Sequence, residues 1–238
     1  QRKSHTFHHG RLPTPLDHVL IGVDERIFST PESLPPAKDG EATGVPEHQK
    51  NKIRVLYYGS YLPNHGIRTI LEAMRLLTDH VEIQLEMVGR GIEQELAREL
   101  AAKWELNNVT FVDWLEKPAL VQRICQADIL LGAFGNTVHS LVTIHNKTYE
   151  GLAMGKVVLT GDSPVMRQYF HPGEDVALCS QADAQGLAQA ILTLAADPEL
   201  RKRIGENGRR YVLENFTLRH IGASFSDILW RLVRSFGR

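Results

Sequence analysis

The chain has 238 residues, with 27 lysines and arginines against 28 aspartates and glutamates, a net charge of −1. That balance excludes a dedicated nucleic-acid binder, which needs a strong basic excess, and 42% hydrophobic with 23% charged residues excludes wholesale disorder. The longest apolar stretches, such as ADILLGAF and KVVLTG, are far shorter than the roughly 20 residues a membrane-spanning helix requires.

The opening QRKSHTFHHGRLP is basic but lacks an apolar core, so it does not read as a secretory signal, and its His5, His8 and His9 read as solvated rather than as metal ligands. HVLIGVDERIF (18–28) predicts a short strand ending in a turn. Residues 30–52, rich in proline, glycine and charge, predict a linker. From there the pattern becomes regular. IRVLYYG (53–59) predicts a strand, and GIRTILEAMRLL (66–77), apolar at 67, 70, 71, 74 and 77, a helix. EIQLEMVG, NVTFVDW, ADILLGAF, KVVLTG and DVALCS predict further strands. IEQELARELAAKW, PALVQRICQA, NKTYEGLAMG and VMRQYF predict the helices between them, with Gly155 a left-handed cap. Helices over 183–196, 198–214 and 218–235 close the chain.

Strands apolar throughout, alternating with helices, imply a parallel sheet covered on both faces. The expected fold class is therefore α/β, a doubly wound Rossmann-like parallel sheet over residues 53–238 with extra C-terminal helices, preceded by a lead-in segment (1–29) and the linker (30–52). Cys125 and Cys179 sit singly in apolar runs, the pattern of core thiols in a reducing compartment, and the expected location is cytoplasmic. From Arg201 onward nine basic residues face three acidic ones. This basic tail, with Ile221, Phe225, Ile228, Leu229 and Leu232 as an apolar helix face, suits packing on its own domain or on a missing one, or peripheral contact with anionic lipid.

In an open parallel sheet ligands bind beyond the carboxyl ends of the strands. Four such ends stand out: Gly59-Ser60-Tyr61, Gly89-Arg90-Gly91, Asp113-Trp114 and Gly132 to Thr137. A dinucleotide fingerprint is not present, because Gln94 occupies the place of its third glycine, and no Gly-Lys-Ser/Thr phosphate loop occurs. His139 and Ser140 lack the elbow of a serine hydrolase. The most informative segment is IHNKTYEGLAMGKVVLTGD (144–162). A helix opening near Asn146 offers free N–H groups and a positive dipole end to an anion, and Lys147 stands in its first turn, where a cation disfavours the helix itself. Lys147, Glu150, Gly151 and Met154 share one face. Two readings follow: Lys147 and the helix end serve an anionic ligand, or Lys147 and Glu150 form a surface ion pair worth about a few tenths of a kcal/mol.

Taken in order, these segments resemble the donor-binding domain of group 1 glycosyltransferases (glycosyltransferase family 4, GT-B architecture) from about Leu20 to Phe216. The resemblance rests on LIGVDERIF, YYGSYLPNHGIRTILEAM, LEMVGRGIEQELARELA, NVTFVDWL, ADILLGAFGNT, NKTYEGLAMGKVVLTGDSP and ENGRRYVLENFT. It implies a nucleotide-sugar donor as partner and no metal or other cofactor. Gly59 and Ser60 belong to the glycine loop, and Gly89 and Gly91 border the nucleoside. Trp114 meets the base, and Gly135, Asn136 and Thr137 meet the diphosphate or sugar. Lys147, with Thr148 beside it, neutralises the leaving diphosphate, and Glu150 grips the ribose. Lys147 and Glu150 are the implied catalytic pair. The acceptor half of a retaining enzyme is missing, so transfer needs a domain beyond this chain.

The sequence departs from the family pattern at Val142, where the first glutamate of Glu-x7-Glu is expected, and at Ser60 and His65, where an arginine and a lysine are common. It resembles a branch carrying Pro-Asn-Lys-x-x-Glu, with His145 in place of that proline and Val157 in place of another. Two alternatives stand beside the transferase: a non-catalytic nucleotide-binding module of the same fold, and a sugar-nucleotide 2-epimerase.

Overall fold

In a computed structural model, residues 19–28 and 52–236 are described. The expected linker, save Lys52, and most of the lead-in segment lie outside them. Six strands, β1 (Ile53–Tyr58), β2 (Ile83–Val88), β3 (Val109–Val112), β4 (Ile129–Leu131), β5 (Val157–Gly161) and β6 (Ala177–Cys179), form one sheet in the order β3-β2-β1-β4-β5-β6. Every pairing is parallel. The order reverses between β1 and β4, which makes that gap the switch point where a doubly wound sheet opens a crevice.

The period of two along the strands divides the core between the faces. Val55 and Tyr57 of β1, Ile129 and Leu131 of β4, and Val157 and Leu159 of β5 face one layer. It is built from α1 (Ile67–Leu76), α2 (Gln94–Lys103) and α7 (Ala184–Ala196). Leu56 and Tyr58, Leu130, and Val158 face the other, built from α3 (Lys117–Gln126), α5 (Asn146–Ala153), α6 (Pro164–Tyr169) and α8 (Pro198–Asn215). A central strand covered by helices on both faces is apolar on both sides, and for this reason Val157, where the family pattern has proline, suits its position: it is buried in β5 opposite Ile129.

Caps set the helix ends. Asp183 accepts from Gly186 N–H at 2.9 Å and Asp197 from Leu200 N–H at 2.8 Å. Gly155 closes α5 at φ +72°, the expected left-handed position. Cys125 and Cys179 are free and half-buried.

One expectation is corrected. HVLIGVDERIF is not a strand of the sheet: Val23 makes one isolated bridge to Thr217, its N–H donating to Phe216 O at 2.9 Å, and residues 25–27 turn. A short 3-10 turn, Pro63–His65, and the helix α4 (Val138–Val142) are elements that the sequence pattern did not reveal. On α9 (Leu218–Phe236), Phe225 and Leu229 of the expected apolar face are exposed, whereas Ile221, Ile228 and Leu232 are partly buried. Among the described residues no helix is long and apolar enough to cross a membrane.

Candidate functional site

At the carboxyl ends of β1, β2 and β3 a cleft of about 650 Å³ opens against the first turns of α3 and α5. Of the residues expected there, Gly59, Ser60, Gly89, Trp114, Lys147 and Glu150 line it. The other five stand elsewhere for structural reasons. Gly91 packs against the Tyr61 backbone, and Gly135 against Pro63 and Asn64, each too tightly for a Cβ. Thr137 caps α4, its hydroxyl oxygen accepting from Ser140 N–H at 3.2 Å, and Asn136 is exposed beside it. Thr148 is buried in the interior. Val142 is also outside the cleft and 59% exposed.

Consecutive β1 residues deliver side chains to opposite sides of the sheet, and both tyrosines reach the site. The Tyr58 hydroxyl donates to Glu150 Oε2 at 3.0 Å and lies 3.2 Å from Lys147 O, fixing the carboxylate on the cleft wall. Burial pushes the Glu150 carboxyl up, while the Tyr58 hydroxyl and Lys147 pull it down. Lys147 crosses the end of β1 and lays its ammonium 4.0 Å from the centroid of the Tyr57 ring. Gly59 leaves this path unobstructed: a Cβ there would stand 3.3 Å from Lys147 Nζ, a tight contact.

Lys147 is 6% exposed, and its Nζ has no hydrogen-bond partner. The ion pair with Glu150, the second of the two readings, does not form, because the carboxylate is held by Tyr58 and the ammonium points to Tyr57. Burial without a partner brings the Lys147 pKa down to about 7, with Glu150 opposing. A buried cation left unpaired is costly. Of the face expected to carry Lys147, Glu150, Gly151 and Met154, only the first two border the cleft. Gly151 lies against Leu130 and Val158, and Met154 is buried in the core.

Trp114 is 54% exposed on the opposite wall, with the Arg90 guanidinium 5.8 Å from its ring centroid. Sequence reasoning missed Tyr58 and Lys117 of this cleft, and Tyr57, buried beneath Lys147. The doubled Tyr-Tyr before Gly59, read with period two, was the available signal. His65 and His145, 80 positions apart in sequence, meet edge to face with ring centroids 4.7 Å apart. No group of three His, Cys, Asp or Glu side chains among the described residues could hold a metal ion.

Comparison with known proteins now bears on this arrangement. Residues 40–211 match the family "Glycosyl transferases group 1". An uncharacterized glycosyltransferase of Methanocaldococcus jannaschii is 22% identical over 82% of this chain and 49% of its own length. A phosphatidyl-myo-inositol mannosyltransferase of Mycolicibacterium smegmatis is 25% identical over 76% of this chain and 47% of its own. The chain thus spans about half the length of these curated relatives. Among solved structures, an Anabaena protein in complex with UDP-glucose superposes with a TM-score of 0.70, at 15% identity, covering 88% of this chain and 56% of that one. The C-terminal domain of a group 1 glycosyl transferase from Francisella tularensis gives a TM-score of 0.65 at 16% identity, covering 83% of this chain and all of that domain. At these identities the structures establish the fold, a Rossmann-like half of GT-B architecture.

Proposed function

The chain belongs to the group 1 glycosyltransferases, and from that membership we propose that it is the nucleotide-sugar-binding half of a retaining enzyme of the family. The observation that carries the reading is Lys147, a buried ammonium without a partner, set in the cleft at the switch point beside the first-turn N–H groups of α5. Such a cation serves an anion that is not part of the protein. A diphosphate fits, since its charge meets Lys147 and the helix N-terminus together. When the bond between the sugar and the diphosphate breaks, the negative charge that develops on the leaving oxygens falls on the same two groups. Glu150 accepts the ribose hydroxyls, and Trp114 offers a flat surface to the base. The acceptor hydroxyl comes from the part of the enzyme that this chain does not span, and the exposed apolar face of α9 suits contact with it.

A thermal-shift panel of UDP, GDP, dTDP and ADP, each with and without a sugar, tests the reading. A ligand at 100 times its Kd adds about 2.7 kcal/mol to stability, and at least one nucleotide is expected to do so. No response to any of them overturns the proposal. With a longer chain carrying the other half, labelled nucleotide sugars distinguish transfer from epimerisation and from simple binding. Glu150→Gln is expected to weaken nucleoside and nucleoside diphosphate by a similar factor, about tenfold, the worth of one hydrogen bond to a charged acceptor. Calorimetry against uridine and UDP, or the guanosine pair, reads that symmetry. The α9 contact is checked by vesicle flotation: if the missing half covers the helix, the longer chain ignores anionic lipid and salt, whereas salt-sensitive flotation assigns the face to a membrane.

A further inference from the structure

His65 sits in the 3-10 turn at the cleft wall, 7% exposed, where the family commonly has lysine. Its Nδ1 lies 2.5 Å from Ser60 O and 2.8 Å from the Tyr57 hydroxyl oxygen. A carbonyl can only accept, and the Tyr57 hydroxyl itself donates to Ser60 O at 2.7 Å. The hydrogen is therefore on Nδ1, and Nε2, on the opposite edge of the ring, is left as a bare acceptor. Two neighbours hold it in that state. The His145 ring stands edge to face against it, and Lys147 supplies a positive charge nearby. Burial first, then these two, bring the His65 pKa down to about 3, and burial with Lys147 brings His145 down to about 4. The site thus offers a cation and, beside it, a nitrogen lone pair in place of the second cation usual in the family.

A phosphate oxygen cannot pair with that lone pair, since both are acceptors. A hydroxyl can. We propose that His65 is a specificity-determining residue of the donor site, accepting through Nε2 a hydroxyl of the sugar carried on the diphosphate that Lys147 binds. The ligand class is then a nucleoside diphosphate bearing a hydroxylated sugar, and the sugar rather than the phosphate is what position 65 recognises. This rests on the donor-half reading above.

The test separates the two edges of the imidazole. In His65→Asn the amide nitrogen replaces Nδ1 and keeps the bond to Ser60 O but removes Nε2. In His65→Gln the amide oxygen approximates Nε2 and keeps an acceptor in the cleft. Calorimetry compares UDP with UDP-glucose and GDP with GDP-mannose, using the base that the thermal-shift panel selects. His65→Asn is expected to leave affinity for the nucleoside diphosphate unchanged and to lower that for the nucleotide sugar two- to tenfold, the worth of a neutral hydrogen bond of about 0.5–1.5 kcal/mol, with His65→Gln recovering part of it. Equal loss for both ligands, or no loss for either, overturns the assignment. A ligand-side series needs no folded variant: in the unaltered chain, replacing one sugar hydroxyl by fluorine, which accepts but cannot donate, is expected to weaken binding by the same factor, and a series in which no position matters overturns the assignment as well. If nucleoside diphosphates bind and depend on Lys147 while these results fail, His65 alone is misassigned. If no nucleotide binds, the donor-half reading falls with it.

Discussion

Lys147→Ala is expected to lower affinity for nucleoside diphosphate tenfold to a hundredfold and to leave free nucleoside little changed. The magnitude follows from a charge-assisted hydrogen bond of about 1.5–3 kcal/mol made by an ammonium that has no hydrogen-bond partner within the protein. Lys147→Met, which keeps the buried stem of the side chain, is expected to preserve or raise stability. An unpaired buried cation is costly, and no hydrogen bond inside the protein is lost with it. Loss of binding with gain in stability separates this role from that of a structural ion pair, whose removal lowers stability slightly and leaves binding alone. The pH dependence follows from the same burial. The Lys147 pKa falls from an ordinary 10.5 to about 7 in the folded chain. Between those limits the unfolded chain holds a proton that the native one lacks, so this group makes stability rise with pH, at up to about 1.4 kcal/mol per unit. Its cost is fully present below pH 7 and is gone above 10.5. Urea denaturation of the parent and of Lys147→Met at pH 7, 8 and 9 measures the difference: the gap in favour of the methionine variant should narrow as pH rises. Nucleotide affinity runs the other way, weakening above pH 7 as the empty site's lysine loses its proton.

Gly89→Ala is expected to cost roughly 2–6 kcal/mol of stability, about 1–3 from backbone strain and about 1–3 from overpacking. Gly89 has φ +129°, and a Cβ built on it would meet Gly59 O at 2.1 Å. The ends of β1, β2 and β3 are joined here, Gly59 N–H donating to Val88 O and Gly89 N–H to Val112 O of β3, each at 3.0 Å. A side chain at 89 therefore forces Gly59 away from its neighbour, and Gly59 is the residue that clears the path of Lys147 to Tyr57. Chemical denaturation checks the stability, and any folded fraction should bind nucleoside diphosphate more weakly than the parent. A variant as stable as the parent would mean that the two strand ends are free to separate.

The sequence by itself determined the six strands, most of the helices and the parallel sense of the sheet. Strands such as IRVLYY and VVLTG are apolar on both faces because helices cover both sides, and their alternation with helices dictates parallel pairing. Glycines at strand ends marked the rim of the cleft, and Lys147 in the first turn of α5 stood out as a cation placed against the helix dipole. The resemblance supplied the family, which the match over residues 40–211 established. What only the tertiary structure decided was the pairing of side chains across strands. Helical spacing put Lys147 and Glu150 on one face and left an ion pair open. The sheet order instead brought β1 beside α5, so Tyr58 takes the carboxylate and Tyr57 takes the ammonium. Thr137 and Gly135 lie after a strand as ligand-binding residues do, yet one caps α4 and the other packs against the 3-10 turn, because α4 could not be read from five residues with so little periodicity. His65 and His145 looked like two unrelated departures from the family pattern. They form one feature because the loop after β1 and the start of α5 meet at the switch point, a distance set by sheet topology and by no local sequence rule.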